Sequence, residues 1–120
     1  MKIAGLILYF LFLSGVSTAQ DCEKYKTGKF LLIDKNYEDY RLVRTKNMQA
    51  EIVDGKTFEF KLKWINECTY KLKPKRSNAV ALPKVWVYNQ IIKTGDDYYI
   101  VQSWVEGTDE KLKMRVQVAE

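Results

Sequence analysis

The chain has no histidine. That removes the side chain that titrates nearest neutrality, and with it the commonest general base and nitrogen ligand for a metal. Cysteine is nearly absent as well: Cys22 and Cys68 are far apart and form no C-x-x-C unit, so neither a dithiol redox site nor a zinc-thiolate site has its residues. No Gly-x-Ser-x-Gly nucleophile elbow occurs. The adjacent aspartates, Asp96 and Asp97, follow Thr94-Gly95 in a turn sequence. Glu51 and Glu59 are available carboxylates, but Glu59 stands beside Lys61 on a charged strand face, where a cross-strand ion pair is the expected role. Nothing here calls for a catalytic centre, a metal or a cofactor, and the chain reads as a non-enzyme.

A long apolar run occurs only at the start. Lys2 precedes Ile3 to Leu13, and Ser17-Thr18-Ala19 then offers small residues for signal peptidase. The apolar core is shorter than the ~20 residues a spanning helix needs. Residues 1–19 therefore read as a signal peptide and 20–120 as a single exported domain, periplasmic or secreted, that does not span the membrane after cleavage. Gln20 and Asp21 precede Cys22, so no lipobox ends at the cysteine. Removing Lys2 from the 20 basic and 15 acidic residues leaves 20 − 1 − 15 = +4, a mildly basic domain. In an exported chain the two cysteines are expected to form one disulfide, Cys22–Cys68; free thiols or an intermolecular bridge are the alternatives.

What is present is period-2 patterning. In Thr57–Pro74 the even positions carry Phe58, Phe60, Leu62, Trp64, Asn66, Cys68, Tyr70 and Leu72, against Thr57, Glu59, Lys61 and Lys63. This is the alternation of a strand with one dry and one wet face. An odd-length loop, Ile65-Asn66-Glu67, keeps the parity across a hairpin. Further strands are expected at Gly28–Ile33, Tyr40–Arg44, Met48–Val53, Val85–Ile92, Tyr98–Val105 and Lys111–Val118. Apolar residues on both parities of the first imply burial on both sides, or one end plugging a barrel. Leu112, Met114, Val116 and Val118 are expected to point inward. Asp54-Gly55 is the clearest hairpin signal. A three-residue loop, Thr45-Lys46-Asn47, would put Met48, Ala50 and Ile52 on the face shared by Leu42 and leave Gln49 wet. Ala79–Leu82 has room for one short helical turn. The fold class is all-β: an antiparallel meander of about eight short strands, as a barrel or strongly curled sheet, with a two-sheet sandwich as the alternative.

Thr27-Gly28-Lys29-Phe30 resembles the Gly-x-aromatic opening of lipocalin-like (calycin) barrels, which implies an aromatic floor beneath a ligand cavity. A wider pattern joins Cys22-x-x-Tyr25-Lys26-Thr27-Gly28-x-Phe30, Arg44-Thr45 with Gln49-x-Glu51, and Lys63-Trp64-x-Asn66-x-Cys68-x-Tyr70-x-Leu72. It is similar to a family of small exported bacterial proteins of unknown function, some of which carry the name DNA topoisomerase IV. The residues do not support that activity: no metal-binding acidic cluster accompanies a tyrosine nucleophile, and the chain is far too short.

Arg44 shares a parity with Leu42, so it either enters a barrel lumen, as a ligand contact or a buried structural partner, or sits at the strand end in solvent. Trp64, Tyr70, Tyr98 and Trp104 are the other candidate ligand or partner contacts, with a filled core as the plainer reading. Tyr98 and Tyr99 must point to opposite faces. Lys71, Lys73, Lys75 and Arg76 form a basic run suited to an anionic surface, or to guarding an exposed sheet edge. Partners in view are an envelope component, an acidic glycan or a small apolar ligand; there is no nucleic-acid-binding motif. Two functions follow. The first is a non-catalytic binding or interaction module with a filled interior, which strands this short favour. The alternative is a lipocalin-like carrier with a cavity lined by Phe30, Phe58, Phe60, Trp64 and Trp104.

Overall fold

Two tight turns set the architecture. Asp54 and Gly55 both have positive φ, 51° and 80°, as a two-residue hairpin of the primed type requires. They pair Val53 with Lys56 and join β3 (Met48–Val53) to β4 (Lys56–Trp64). Lys46-Asn47 is the second two-residue turn, made without a positive φ at either residue. The Thr45 amide donates to the Met48 carbonyl at 2.9 Å, and Arg44 of β2 (Tyr40–Arg44) lies opposite Gln49. A two-residue turn places an odd residue opposite an even one. Both turns therefore put Gln49, Glu51 and Val53 on the face shared by Leu42, Arg44, Phe58 and Phe60. The expected three-residue loop at Thr45–Asn47 is corrected, and so is the face of β3: Met48, Ala50 and Ile52 point outward.

The computed structural model describes residues 21–33, 39–78 and 80–119. The expected signal peptide, residues 1–19, lies outside the described residues. The other strands are β1 (Gly28–Ile33), β5 (Thr69–Pro74), β6 (Val87–Thr94), β7 (Tyr98–Val105) and β8 (Leu112–Val118). Each strand pairs antiparallel with the next, and β1 pairs with β8, so the sheet is a closed eight-stranded barrel in meander order. Among the described strands, closure leaves no unpaired edge. Between β4 and β5 the Ile65 amide donates to the Thr69 carbonyl at 2.8 Å, and Trp64 lies opposite Tyr70. The loop is odd-length as expected, but it is Asn66-Glu67-Cys68, one residue later. In β6 a bulge at Ile91/Lys93 shifts the register and leaves Ile92 exposed. Ile33 is exposed as well, so β1 is buried on one side, through Phe30 and Leu32.

One end of the barrel is plugged. A 3-10 turn at Glu23–Tyr25 precedes β1, where the sequence shows only a polar lead. Cys22 is bonded to Cys68 in the β4–β5 loop, with a Cα–Cα distance of 5.4 Å. This anchors the plug across the barrel end. Tyr25, fully buried, donates its hydroxyl to the carbonyls of Gly95 (2.6 Å) and Tyr98 (2.8 Å) in the β6–β7 turn. Gly28 makes the bend from plug to strand at φ 133°, a conformation disfavoured for a side chain whatever the space around it.

Candidate functional site

The barrel interior divides into a filled half and an open half. The filled half is built on Arg44, which is 2% exposed. Its Nε donates to Gln49 Oε1 at 2.8 Å, its Nη1 to the Tyr25 carbonyl at 2.7 Å, and its Nη2 to the hydroxyls of Tyr70 (3.0 Å) and Tyr99 (2.8 Å). The guanidinium also lies 4.8 Å from the Phe30 ring centre and 4.6 Å from that of Tyr70. A planar fork with five donors suits this task, because it can address oxygens in several directions at once. Burial alone would lower the Arg44 pKa. The surrounding tyrosine oxygens and Glu51 more than offset that, so its pKa is raised and the group stays charged. Burial likewise pushes Tyr70 well above the ordinary tyrosine value, which keeps its hydroxyl neutral.

A polar chain runs from this plug towards the other end. Gln49 accepts from Arg44 and donates through Nε2 to Glu51 Oε2 at 3.0 Å; Tyr40 donates to Glu51 Oε1 at 2.7 Å. Burial raises the Glu51 pKa, while the Tyr40 and Gln49 hydrogen bonds and the Arg44 charge hold the rise back. Gln49, expected to be wet, is 2% exposed. Arg44 does not sit at the strand end in solvent: it is the buried structural partner of the two readings.

Above the chain lies the open half, a cup of about 680 Å³. Phe60, Leu72, Val87 and Met114 wall it, Glu51, Asn89 and Ser103 supply polar groups, and Leu112 stands at the rim, 62% exposed. Ser103 donates to Asn89 Oδ1 at 2.7 Å, and Asn89 Nδ2 to the Val87 carbonyl at 3.1 Å, so their hydrogen bonds are largely met within the wall. Glu51 and Phe60 also border a neighbouring hollow of about 390 Å³ beneath Tyr40, Phe58 and Leu82. Glu51 thus stands where the two spaces adjoin.

The chain matches no family model, no curated protein and no solved structure. The site is therefore read from its own chemistry. Among the described residues no group of three histidine, cysteine, aspartate or glutamate side chains could hold a metal ion.

The candidate residues separate. Tyr70 is buried against Arg44 and lines neither the cup nor its neighbour, and Trp64 packs on it with ring centres 4.7 Å apart. Both belong to the plug. Tyr98 is on the outer face, its ring 4.1 Å from the Arg115 guanidinium; the tyrosine inside the barrel is Tyr99. Trp104 borders the cup but stacks on the outer face against Tyr88, rings 5.5 Å apart. Of the five residues expected to line one cavity, Phe60 and Trp104 border the cup and Phe58 its neighbour, while at the plugged end Trp64 borders a separate hollow of about 700 Å³ and Phe30 another of about 640 Å³. Val118 keeps its inward parity but is exposed at the end of β8. Lys71, Lys73, Lys75 and Arg76 lie on or after β5, which is hydrogen-bonded on both sides and guards no edge. The expected cross-strand ion pair of Glu59 does not form among the described residues; its Oε1 accepts from Ser77 Oγ at 3.3 Å. The polar members of the site that the sequence reading missed are Glu51, Asn89 and Ser103.

Proposed function

We propose that the protein is an exported carrier of one small apolar or amphipathic molecule, held in the open half of the barrel. The observation that carries this reading is the cup: its volume falls within the ~300–1,000 Å³ typical of small-molecule sites, and its walls are apolar with few polar groups. The lipocalin-like opening at Gly28-x-Phe30 and the wider resemblance to small exported proteins agree with this role. The filled interior expected of a purely surface-acting module occupies only the plugged half.

The polar groups indicate how the ligand is oriented. Glu51 is a buried carboxylate on the cup wall, and its oxygens keep acceptor capacity after Tyr40 and Gln49 have donated to them. A ligand with a hydroxyl or amine head would place that head at Glu51 and its apolar body against Phe60, Leu72 and Met114. N-phenyl-1-naphthylamine, an apolar fluorophore with one N–H donor, tests this. It should bind saturably at one site and be displaced by 1-octanol. Val87→Trp, which fills the cup, should remove binding while the far-UV spectrum and thermal transition stay those of a folded protein. Absence of saturable binding, or unchanged binding to folded V87W, refutes the proposal.

A further inference from the structure

The outer face of the β4–β5 hairpin carries a costly arrangement. Lys61 lies directly opposite Lys73, and Lys63 directly opposite Lys71. Like charges facing across strands destabilise a sheet, and here two such pairs follow one another. Edge protection does not explain them, because β5 is paired on both sides. Ion pairing does not either: among the described residues the ion pairs are Lys26–Glu23 and Arg41–Asp39, and neither involves this face.

The chain after β5 adds more positive charge to the same place. Lys75, Arg76 and Lys84 join Lys61 and Lys73 around a groove of about 430 Å³. Asn78 holds the turn against β4: its Oδ1 accepts from the Glu59 amide at 2.6 Å, and its Nδ2 donates to the carbonyls of Glu59 (2.9 Å) and Lys75 (3.0 Å). Beside the groove, Lys71 and Lys73 lie over the Trp86 ring at 4.3 and 5.6 Å. Their ammonium groups are therefore held by the protein before any ligand arrives, which lowers the ordering cost of binding.

We propose that this groove binds an anionic glycan through sulfate or phosphate groups on its sugars. The cations form tiers along the strands, Lys63 with Lys71, then Lys61 with Lys73, then Lys75 and Arg76, spaced about 7 Å apart by the strand rise over two residues. That spacing fits a chain bearing several anionic groups better than one free ion. Single-stranded nucleic acid would need open aromatic faces for its bases; here Trp86 lies under lysines, and Tyr88 and Trp104 stack on each other. A bilayer surface would meet a concave groove with no apolar anchor among its lining residues.

The test uses a heparin-derived hexasaccharide with the full oxidised domain, followed by calorimetry at low and physiological salt. Saturable binding that weakens with salt is expected. The double variant Lys61→Gln/Lys73→Gln should bind at least about tenfold more weakly, yet unfold at a higher temperature, because a like-charge pair has gone. Lys29→Gln/Lys46→Gln, with the same net charge but away from the groove, should bind as the parent does. Lack of binding, equal weakening by both double variants, or tighter binding to phosphatidylglycerol vesicles or an oligo-dT strand overturns the proposal. The outcome is independent of the cup.

Discussion

Replacing Arg44 by methionine keeps much of the side-chain volume and removes every hydrogen bond the guanidinium makes. Four oxygen acceptors lose their donor: Gln49 Oε1, the Tyr25 carbonyl and the Tyr70 and Tyr99 hydroxyls. The two hydroxyls lie 3.2 Å apart and can satisfy one another in part. Two to three buried acceptors are then left bare, at about 1–3 kcal/mol each. Against this, the burial penalty of the cation, itself several kcal/mol, disappears. The balance is a loss of about 3 kcal/mol, a substantial share of the ~5–15 kcal/mol of a typical domain. Arg44→Lys separates the two terms. It retains a buried cation, but a single ammonium cannot reach all four oxygens, so it should be at least as destabilising as Arg44→Met. Urea unfolding of the oxidised proteins measures this: with m near ~1 kcal/mol/M for a domain this small, both midpoints should fall by roughly 3 M. A lysine variant within about 0.5 kcal/mol of the parent would refute the claim that the fork geometry, and not charge alone, holds the plug.

The disulfide closes a separation of 46 residues, for which chain entropy predicts about 4 kcal/mol of stabilisation. Cys22→Ser/Cys68→Ser should lose about that much in the same assay, and a loss under ~1 kcal/mol would contradict the anchoring role. Glu51 supplies a pH signature. The folded state holds its proton more tightly than the unfolded chain, so its contribution to stability falls as pH rises from the ordinary glutamate value through the raised folded value, then levels off. Glu51→Gln has no such slope. The melting-temperature difference, variant minus parent, should grow as pH rises from 4 to 8, and a difference that opens on acidification instead would contradict the assignment.

Much of the fold is legible from alternation and turn chemistry. The eight strands and their meander follow from period-2 runs separated by Gly, Asn and Asp, and the Cys22–Cys68 pairing is what two cysteines in a chain that reads as exported lead one to expect. The face of β3 was harder to read, because its inward positions carry Gln49 and Glu51 while Met48, Ala50 and Ile52 lie outside. One signal does reveal it. A two-residue Asp54-Gly55 turn forces Phe58 opposite Glu51 and Phe60 opposite Gln49, so inward phenylalanines imply an inward glutamate. Arg44 then has polar neighbours within the lumen and no need of solvent. The division into plug and cup is a property of three dimensions: Tyr25 comes from a 3-10 turn before the barrel, and no strand pattern says which end it blocks. The residues of the wider resemblance gather mostly at the plug, with Glu51 as their reach towards the cup.

The central claim is that the upper lumen takes up a ligand while the lower lumen is solid. Methyl-resolved NMR during titration with 1-octanol tests it most directly. Saturating shifts should appear at Leu72, Val87, Leu112 and Met114, with Leu32 and Val116 at the filled half unmoved. Shifts confined to exposed methyls such as Ile33, Val80 and Ile92, or no saturating shifts at all, would contradict it.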